Sequence, residues 1–152
     1  MKYYAGIGSR QTPKNILEDM KEIGKSLSKR GYTLRSGGAI GADTAFERFA
    51  NSQEIFTGNE IAPIWAKIFT QYFHPVPHKL SFGTQKMMDR NAMQILGYDG
   101  NTPVDFIVCW TKDGKASGGT GQAIRIANYF KIPVYNLYNI SKEQFMIQFD
   151  LF

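Results

Sequence analysis

The sequence has a single cysteine and no long apolar run, which excludes an intramolecular disulfide and a membrane-spanning segment. With one thiol, Cys109, in 152 residues, the chain forms no intramolecular disulfide. Cys109 lies in an apolar segment, where a core thiol is more common than a nucleophile. No run approaches the roughly 20 apolar residues of a membrane span. The N-terminus enters a strand pattern at once, so we expect no signal peptide, a cytoplasmic location and no membrane partner.

Metal ligands and clustered charge are also scarce. The two histidines, His74 and His78, are interleaved with Pro75 and Pro77, which excludes the helical i, i+4 spacing of a metal-binding pair. We expect no metal site and no cofactor. The net charge of +5 favours an anionic partner, but no run of five basic residues occurs. Binding to nucleic acid is compatible with this charge and is not indicated by it.

Segments with the character of strands alternate along the chain with segments of helical periodicity. This alternation predicts a single α/β domain over residues 1–152, with a mostly parallel five-stranded sheet and helices on both faces. The prolines at 74–78 predict a loop. Strands are predicted at 2–7, 32–35, 54–56, 103–110 and 132–137, and helices near 13–30, 44–50, 61–72, 84–96, 122–130 and 141–150.

Three glycine-rich loops follow the first, second and fourth predicted strands. They are GIGSR at 6–10, SGGAIGAD at 36–43 and TKDGKASGGTG at 111–121. If the strand order is 3-2-1-4-5, strands one and four are neighbours at the point where the order reverses, and ligands of such folds bind there. Glycines let the backbone approach a ligand, and free N–H groups at a helix start bind anions. One such loop is compatible with an ordinary turn, whereas three at one edge predict a phosphate-bearing ligand.

The ordered trio GIGSR, SGGAIGAD and GGTGQA (118–123) resembles the three signature loops of the SLOG superfamily over nearly the whole chain. That superfamily includes the nucleotide-binding domain of DNA-processing protein A and the Lonely-guy phosphoribohydrolases. The chain is most similar to the short, stand-alone members often carried by bacteriophages. The resemblance implies a Rossmann-like three-layer sandwich that binds a nucleotide or a nucleotide-derived small molecule, in at least a dimer.

Lonely-guy enzymes cleave the N-glycosidic bond of a nucleoside monophosphate, and their motif is PGGxGTxxE. The glycines match here as Gly118, Gly119 and Gly121, but Ser117, Gln122 and Arg125 stand in place of the proline, threonine and glutamate. Without the motif glutamate, the usual catalytic assignment does not carry over. The family also has a substrate-contacting arginine on the preceding helix, and the resemblance implies that role for Arg90.

The predicted ligand-binding residues come from the three loops and from the end of strand four. Arg10 is either a phosphate ligand or a surface arginine, and Trp110 either stacks on a base or closes the core. Ser9 and Ser36 offer hydroxyls that also suit turn capping. The predicted ligand-binding set is Gly8, Ser9, Arg10, Ser36, Gly37, Gly38, Trp110, Gly118, Gly119, Thr120, Gly121 and Gln122.

The predicted catalytic residues are Asp43, Glu47 and Arg90. Asp43 is favourable at a helix start in any case, but it also lies where a carboxylate would reach a ribose hydroxyl. Glu47 is one helical turn later and shares its face. The two carboxylates are candidates for the acid and the orienting group of glycosidic cleavage.

Three functions are compatible with these features. The first is hydrolysis of a nucleotide N-glycosidic bond, and the second is a protein that senses or sequesters a nucleotide-derived signal without chemistry. The third, binding of single-stranded DNA, is disfavoured by the absence of clustered basic residues. We also expect a homodimer or higher homo-oligomer, with the aromatic segment Ile64–Phe73 as the candidate interface.

Overall fold

A computed structural model of the chain describes residues 1–151 and contains one five-stranded sheet whose strands all run parallel. The strand order is β3-β2-β1-β4-β5, as the sequence predicts, and the layout is Rossmann-like. The strands are β1 (Lys2–Gly6), β2 (Tyr32–Ser36), β3 (Gln53–Ile55), β4 (Phe106–Cys109) and β5 (Val134–Asn136).

Six α-helices connect and follow the strands in the described part of the chain. A short 3₁₀ helix at Pro77–Lys79 lies within the proline-rich segment predicted to be a loop. The α-helices are α1 (Lys14–Lys29), α2 (Ala42–Glu47), α3 (Ile64–Phe73), α4 (Phe82–Leu96), α5 (Thr120–Tyr129) and α6 (Lys142–Gln148).

The helices divide between the two faces of the sheet and make two hydrophobic cores. Alternate residues of a strand point to opposite faces, so Phe106 and Val108 of β4 join the core under α1, α2 and α6. Ile107 and Cys109 join the other core, under α3, α4 and α5. Burial raises the pKa of the Cys109 thiol to about 12. The prediction that Cys109 is a core thiol is therefore confirmed.

The pairing of β1 with β4 creates the crevice that the sequence predicts. The register joins Gly6 to Val108, and the contact continues beyond both strands because the Ser9 N–H donates to the Trp110 carbonyl at 3.1 Å. The chain leaves β1 and β4 at the same edge of the sheet and turns toward opposite faces. The first and third glycine loops therefore face each other across this edge.

Local departures from the predicted boundaries have simple causes. The strand predicted at 103–110 forms ladder pairs only from Phe106 to Cys109, because Val104 bonds back to Ile95 at the end of α4. Helix α5 begins at Thr120, two residues early, because Gly121 N–H already donates to the carbonyls of Ser117 and Gly118. The capping box of Ser141 and Gln144 forms as predicted at α6.

No helix among residues 1–151 combines the length and the apolar character needed to cross a membrane. An exposed apolar surface lies on α3, where Ile64, Ile68 and Tyr72 follow one another at helical spacing and are each 57–75% exposed. This is the segment that the sequence indicates as an interface. Self-association through it stays a prediction.

Replacing Ile68 with lysine tests that prediction, because a charge at the centre of an apolar contact would have to be desolvated. Sedimentation velocity should then detect a dimer of the parent and a monomer of Ile68→Lys, with unchanged circular dichroism. A parent that sediments as a monomer across the accessible concentration range would contradict the prediction.

Candidate functional site

A cleft of about 470 Å³ lies at the carboxyl edge of β1 and β4, and α4 forms its far wall. Each of the three glycine loops contributes to its lining, as the sequence predicts for the crevice. Its lining residues are Ile7, Gly8, Ser9, Arg10, Gln11, Ala39, Asp43, Thr84, Met87, Met88, Arg90, Asn91, Gln94, Lys112, Ser117, Gly118, Gly119 and Thr120.

The first loop carries Arg10 to the rim of the cleft. The Ser9 carbonyl accepts the N–H and the hydroxyl of Thr12, and the Ser9 hydroxyl accepts the N–H of Gln11 at 3.0 Å. Ser9 therefore stabilises the turn, although it also lines the cleft. A Cβ on Gly8 would lie 2.6 Å from the Ala42 Cβ, so this glycine is required by packing. The Arg10 side chain is exposed and lines the cleft.

Glu47 holds the second loop in shape from outside the cleft. Its Oε2 accepts the Ser36 hydroxyl at 2.6 Å and the Gly38 N–H at 3.1 Å. Ser36 is fully buried. Glu47, Ser36 and Gly38 are thus brought together, but none of them lines the cleft.

Gly37 lies where three polar side chains converge from two helices. A Cβ on Gly37 would lie 2.7 Å from the Arg90 Cζ, 2.7 Å from the Gln94 Nε2 and 2.8 Å from the Asp43 Oδ2. Arg90 also donates from Nη1 to the Gly37 carbonyl at 3.2 Å. Only glycine fits here, because any side chain would displace the guanidinium, the amide or the carboxylate.

The environment of Asp43 favours its neutral form. Burial raises the pKa of Asp43 to about 6, although the Ala39 N–H, the Arg90 guanidinium and the Gly37 N–H all favour the ionised form. The side chain is 5% exposed, and its Oδ2 accepts the Ala39 N–H at 3.2 Å. A carboxyl with this pKa exists in both protonation states near neutral pH, as a general acid or base requires.

The rest of the charged lining is positive. Arg10, Arg90 and Lys112 line the cleft, and Asp43 is the only carboxylate among the lining residues. Burial lowers the pKa of Arg90 from its usual value, the Asp43 carboxylate opposes this shift, and Arg10 adds to it. A cleft with this excess of cations attracts an anionic ligand.

The third loop presents backbone N–H groups at the start of α5. The Asn91 amide fixes its position by donating to the Gly119 carbonyl at 2.9 Å. The sequence predicts an anion against the N–H groups of residues 118–122, but those of Gly121 and Gln122 already donate to carbonyls within the loop. The N–H groups of Gly118, Gly119 and Thr120 have no acceptor within residues 1–151. The available donors are therefore these three.

The structural reason for glycine differs among Gly118, Gly119 and Gly121 of the third loop. A Cβ on Gly121 would lie 2.7 Å from the Ala116 backbone, and Gly118 has φ +63°, so the fold requires glycine at both positions. At Gly119 φ is −63°, and a Cβ would meet only the Met88 Cε at 3.9 Å. The fold does not require glycine at 119. The missing side chain leaves open space beside the free N–H groups.

Five other predicted or motif positions are not among the lining residues of the cleft: Gly37, Gly121, Trp110, Gln122 and Arg125. Trp110 packs in the core, with its ring centroid 6.3 Å from that of Tyr138. Gln122 is fully buried and accepts from Arg125 Nη2 at 2.7 Å. Arg125 also donates to the Phe73 carbonyl at 3.1 Å. The arginine at the motif glutamate position therefore fastens α5 to the end of α3.

The sequence prediction omitted most of the α4 wall. Gln94 is the most informative omission, because both its amide oxygen and its amide nitrogen are buried without a protein partner. Buried polar groups are normally satisfied by protein or water. Met87 and Gln94 lie one turn before and one turn after Arg90, and this spacing is the signal by which they could have been found.

Among residues 1–151, no three His, Cys, Asp or Glu side chains are grouped closely enough to hold a metal ion. His74 accepts the Val76 N–H on its Nδ1 at 3.1 Å.

Comparisons of the chain with family models, curated proteins and solved structures found no match.

The raised pKa of Asp43 predicts a pH-dependent effect of Asp43→Asn on stability. The pKa is about 6 in the folded state and about 3.9 in the unfolded state. The folded state therefore binds the proton more tightly than the unfolded state. This tighter binding stabilises the folded state fully below about pH 4, and the stabilisation is lost as the pH rises through about 6. Asparagine cannot ionise, so denaturant unfolding should find Asp43→Asn more stable relative to the parent at pH 7.5 than at pH 4, by on the order of 2 kcal/mol. An equal difference at both pH values would contradict the raised pKa.

Proposed function

We propose that this protein binds a nucleoside monophosphate, or a closely related nucleotide derivative, in the cleft between β1, β4 and α4. The observation that carries the proposal is the set of three free N–H groups at Gly118, Gly119 and Thr120, beside open space at Gly119. This is the geometry with which helix starts bind phosphate. The resemblance of the three loops to the SLOG superfamily supports the same ligand class.

The remaining lining suits the other parts of a nucleotide. In the proposal Arg10 and Lys112, which also line the cleft, complement the charge of the phosphate. The Met87 and Met88 side chains offer an apolar, adaptable wall for a base. In the proposal Gln94 donates to and accepts from polar groups of the ligand, because neither of its amide atoms has a protein partner. In the proposal Asp43, which also lines the cleft, faces the sugar.

We further propose that the bound nucleotide is hydrolysed at its N-glycosidic bond. Protonated Asp43 donates its proton to the departing base as the C1′–N bond breaks and positive charge develops on the ribose. Water then adds to C1′ and returns a proton to the Asp43 carboxylate, so that base and ribose phosphate are the products. A pKa of about 6 lets the same group act as acid and then as base.

Arg90 and Glu47 have supporting roles in this proposal. Arg90 donates to the Gly37 carbonyl, and its charge favours the ionised form of Asp43. Glu47 holds the loop through Ser36 and Gly38. The sequence leaves the role of general acid open between Asp43 and Glu47, and the proposal gives it to Asp43.

One observation favours the second candidate, a protein that sequesters or senses a nucleotide without cleaving it. Glycosidases usually act with a pair of carboxylates, whereas Asp43 is the only carboxylate in the lining. Incubation of the parent with a panel of nucleoside monophosphates separates the two functions. Free base detected by chromatography indicates hydrolysis, and ligand recovered intact after denaturation indicates sequestration.

Single-stranded DNA is the third candidate, and its test is separate. Filter binding at two salt concentrations should detect no strong, salt-sensitive complex, because only Arg10, Arg90 and Lys112 supply cations to the cleft. Tight binding to DNA that weakens steeply with salt would favour this candidate instead.

Replacing Gly119 with valine tests the phosphate position. The new side chain has room in the fold but occupies the space beside the free N–H groups. Affinity for the bound mononucleotide should fall at least tenfold, which is ~1.4 kcal/mol, as measured by calorimetry.

Gly83→Val is the matched control, since a Cβ on Gly83 meets nothing within 4 Å and Gly83 is not among the cleft-lining residues. The control should bind like the parent. Unchanged affinity in a folded Gly119→Val variant would contradict the proposal that the phosphate binds at this loop.

Asp43→Asn tests the chemistry. It keeps the shape of the side chain and its bond to the Ala39 N–H but removes the proton that reaches the base. A positioned acid or base contributes ~10²–10⁴ in rate, so turnover should fall at least ~100-fold while nucleotide binding persists. If the parent releases no base from any mononucleotide, hydrolysis is abandoned and sequestration is retained.

A further inference from the structure

A second cavity, of about 380 Å³, lies on the opposite side of α4 from the nucleotide cleft. It is enclosed by α3, by the first half of α4 and by the segment that follows β3. Its charged lining residues are Asp89, Glu60, Lys67 and Lys86, and its other lining residues include Gln71, Gln85, Ala62, Phe82 and Met93. None of them lines the first cleft.

The notable group in this cavity is the Asp89 carboxyl. Asp89 is 6% exposed, and its Oδ1 accepts the Thr70 hydroxyl at 2.5 Å. The other oxygen, Oδ2, accepts no hydrogen bond within residues 1–151, and no Lys, Arg or His in that range lies within 4 Å of the carboxyl. The adjacent cation, Arg90, lines the other cleft, because neighbouring residues of a helix point in different directions.

The unpaired oxygen of Asp89 is open to the cavity and is not sealed in the core. Asp89 lines the cavity, and Oδ2 is not among the fully buried atoms that lack a hydrogen-bond partner, so water or a ligand can reach it. Thr70 supplies a single hydrogen bond and fixes the orientation of the carboxyl, which leaves Oδ2 available to a cation that enters the cavity.

We propose that this cavity binds a small organic cation, an amine or a guanidinium, with its charged group on Asp89 Oδ2. The amides of Gln71 and Gln85 supply acceptors for the remaining N–H groups, and Ala62, Phe82 and Met93 supply contact for a short alkyl body. Two lysines also line the cavity, but their charges do not lie at the Asp89 carboxyl. Lys67 and Lys86 are exposed, and the Lys86 ammonium lies 4.9 Å from the centre of the Phe82 ring.

Calorimetry of the full chain with three matched probes, n-butylamine, n-butylguanidine and n-butanol, tests the proposal. The two cations should bind and the neutral alcohol should not. The comparison between the two cations reports whether the compact ammonium or the planar guanidinium fits better. Failure of both cations to bind the parent at millimolar concentration would overturn the proposal.

Asp89→Asn separates a binding role from a structural one. Asparagine retains an oxygen for the Thr70 hydroxyl but carries no charge, so the fold should persist while affinity for the better cation falls at least tenfold. Asp43→Asn, which lies outside this cavity, should leave that affinity unchanged. Equal affinity in Asp89→Asn and the parent would show that the charge is not the ligand and would contradict the proposal. Because the probes carry no phosphate, this result is independent of nucleotide binding in the first cleft.

Discussion

The geometry of the candidate site depends on the convergence of Asp43, Arg90 and Gln94 around Gly37. All three side chains are at least nine-tenths buried, and each has an atom within 2.8 Å of the position where Gly37 would have a Cβ: the Arg90 Cζ, the Gln94 Nε2 and the Asp43 Oδ2. This arrangement brings α2, the second loop and α4 together, and burial there raises the pKa of Asp43 although the Arg90 guanidinium lowers it. The loop is also held by Glu47, which accepts the Gly38 N–H, and by the Ala39 N–H, which donates to Asp43, whereas the Gln94 amide has no partner in the protein.

Helix α4 separates the proposed nucleotide cleft from the proposed cation cavity. Arg90 and Asp89 are adjacent in sequence and project to different sides, toward a cleft with an excess of cations and toward a cavity whose buried group is a carboxylate. Asn91 adds a third contact by holding the Gly119 carbonyl at the start of α5. A change in the position of α4 would therefore affect the phosphate site and the cation site together.

The fold was predictable because it rests on patterns that repeat along the chain. The alternation of strands and helices, and the glycine loops after β1, β2 and β4, were sufficient for the strand order and for the crevice. The roles of single residues were less accessible. Gly119 and Gly121 are alike in sequence, but only the structure distinguishes the one required by packing from the one that leaves open space. The role of Glu47 depends on its side-chain contacts with Ser36 and Gly38, which the sequence does not reveal. Trp110 lies at the crevice in sequence but packs into the core.

The central claim is that a nucleotide phosphate lies against the free N–H groups at the start of α5. Titration of ¹⁵N-labelled protein with a nucleoside monophosphate, followed by NMR, tests it most directly. The account predicts the largest amide shifts at Gly118, Gly119 and Thr120, and smaller ones at Gly121 and Gln122, whose N–H groups donate within the loop. Shifts that leave residues 118–120 unchanged and appear at another surface would contradict it.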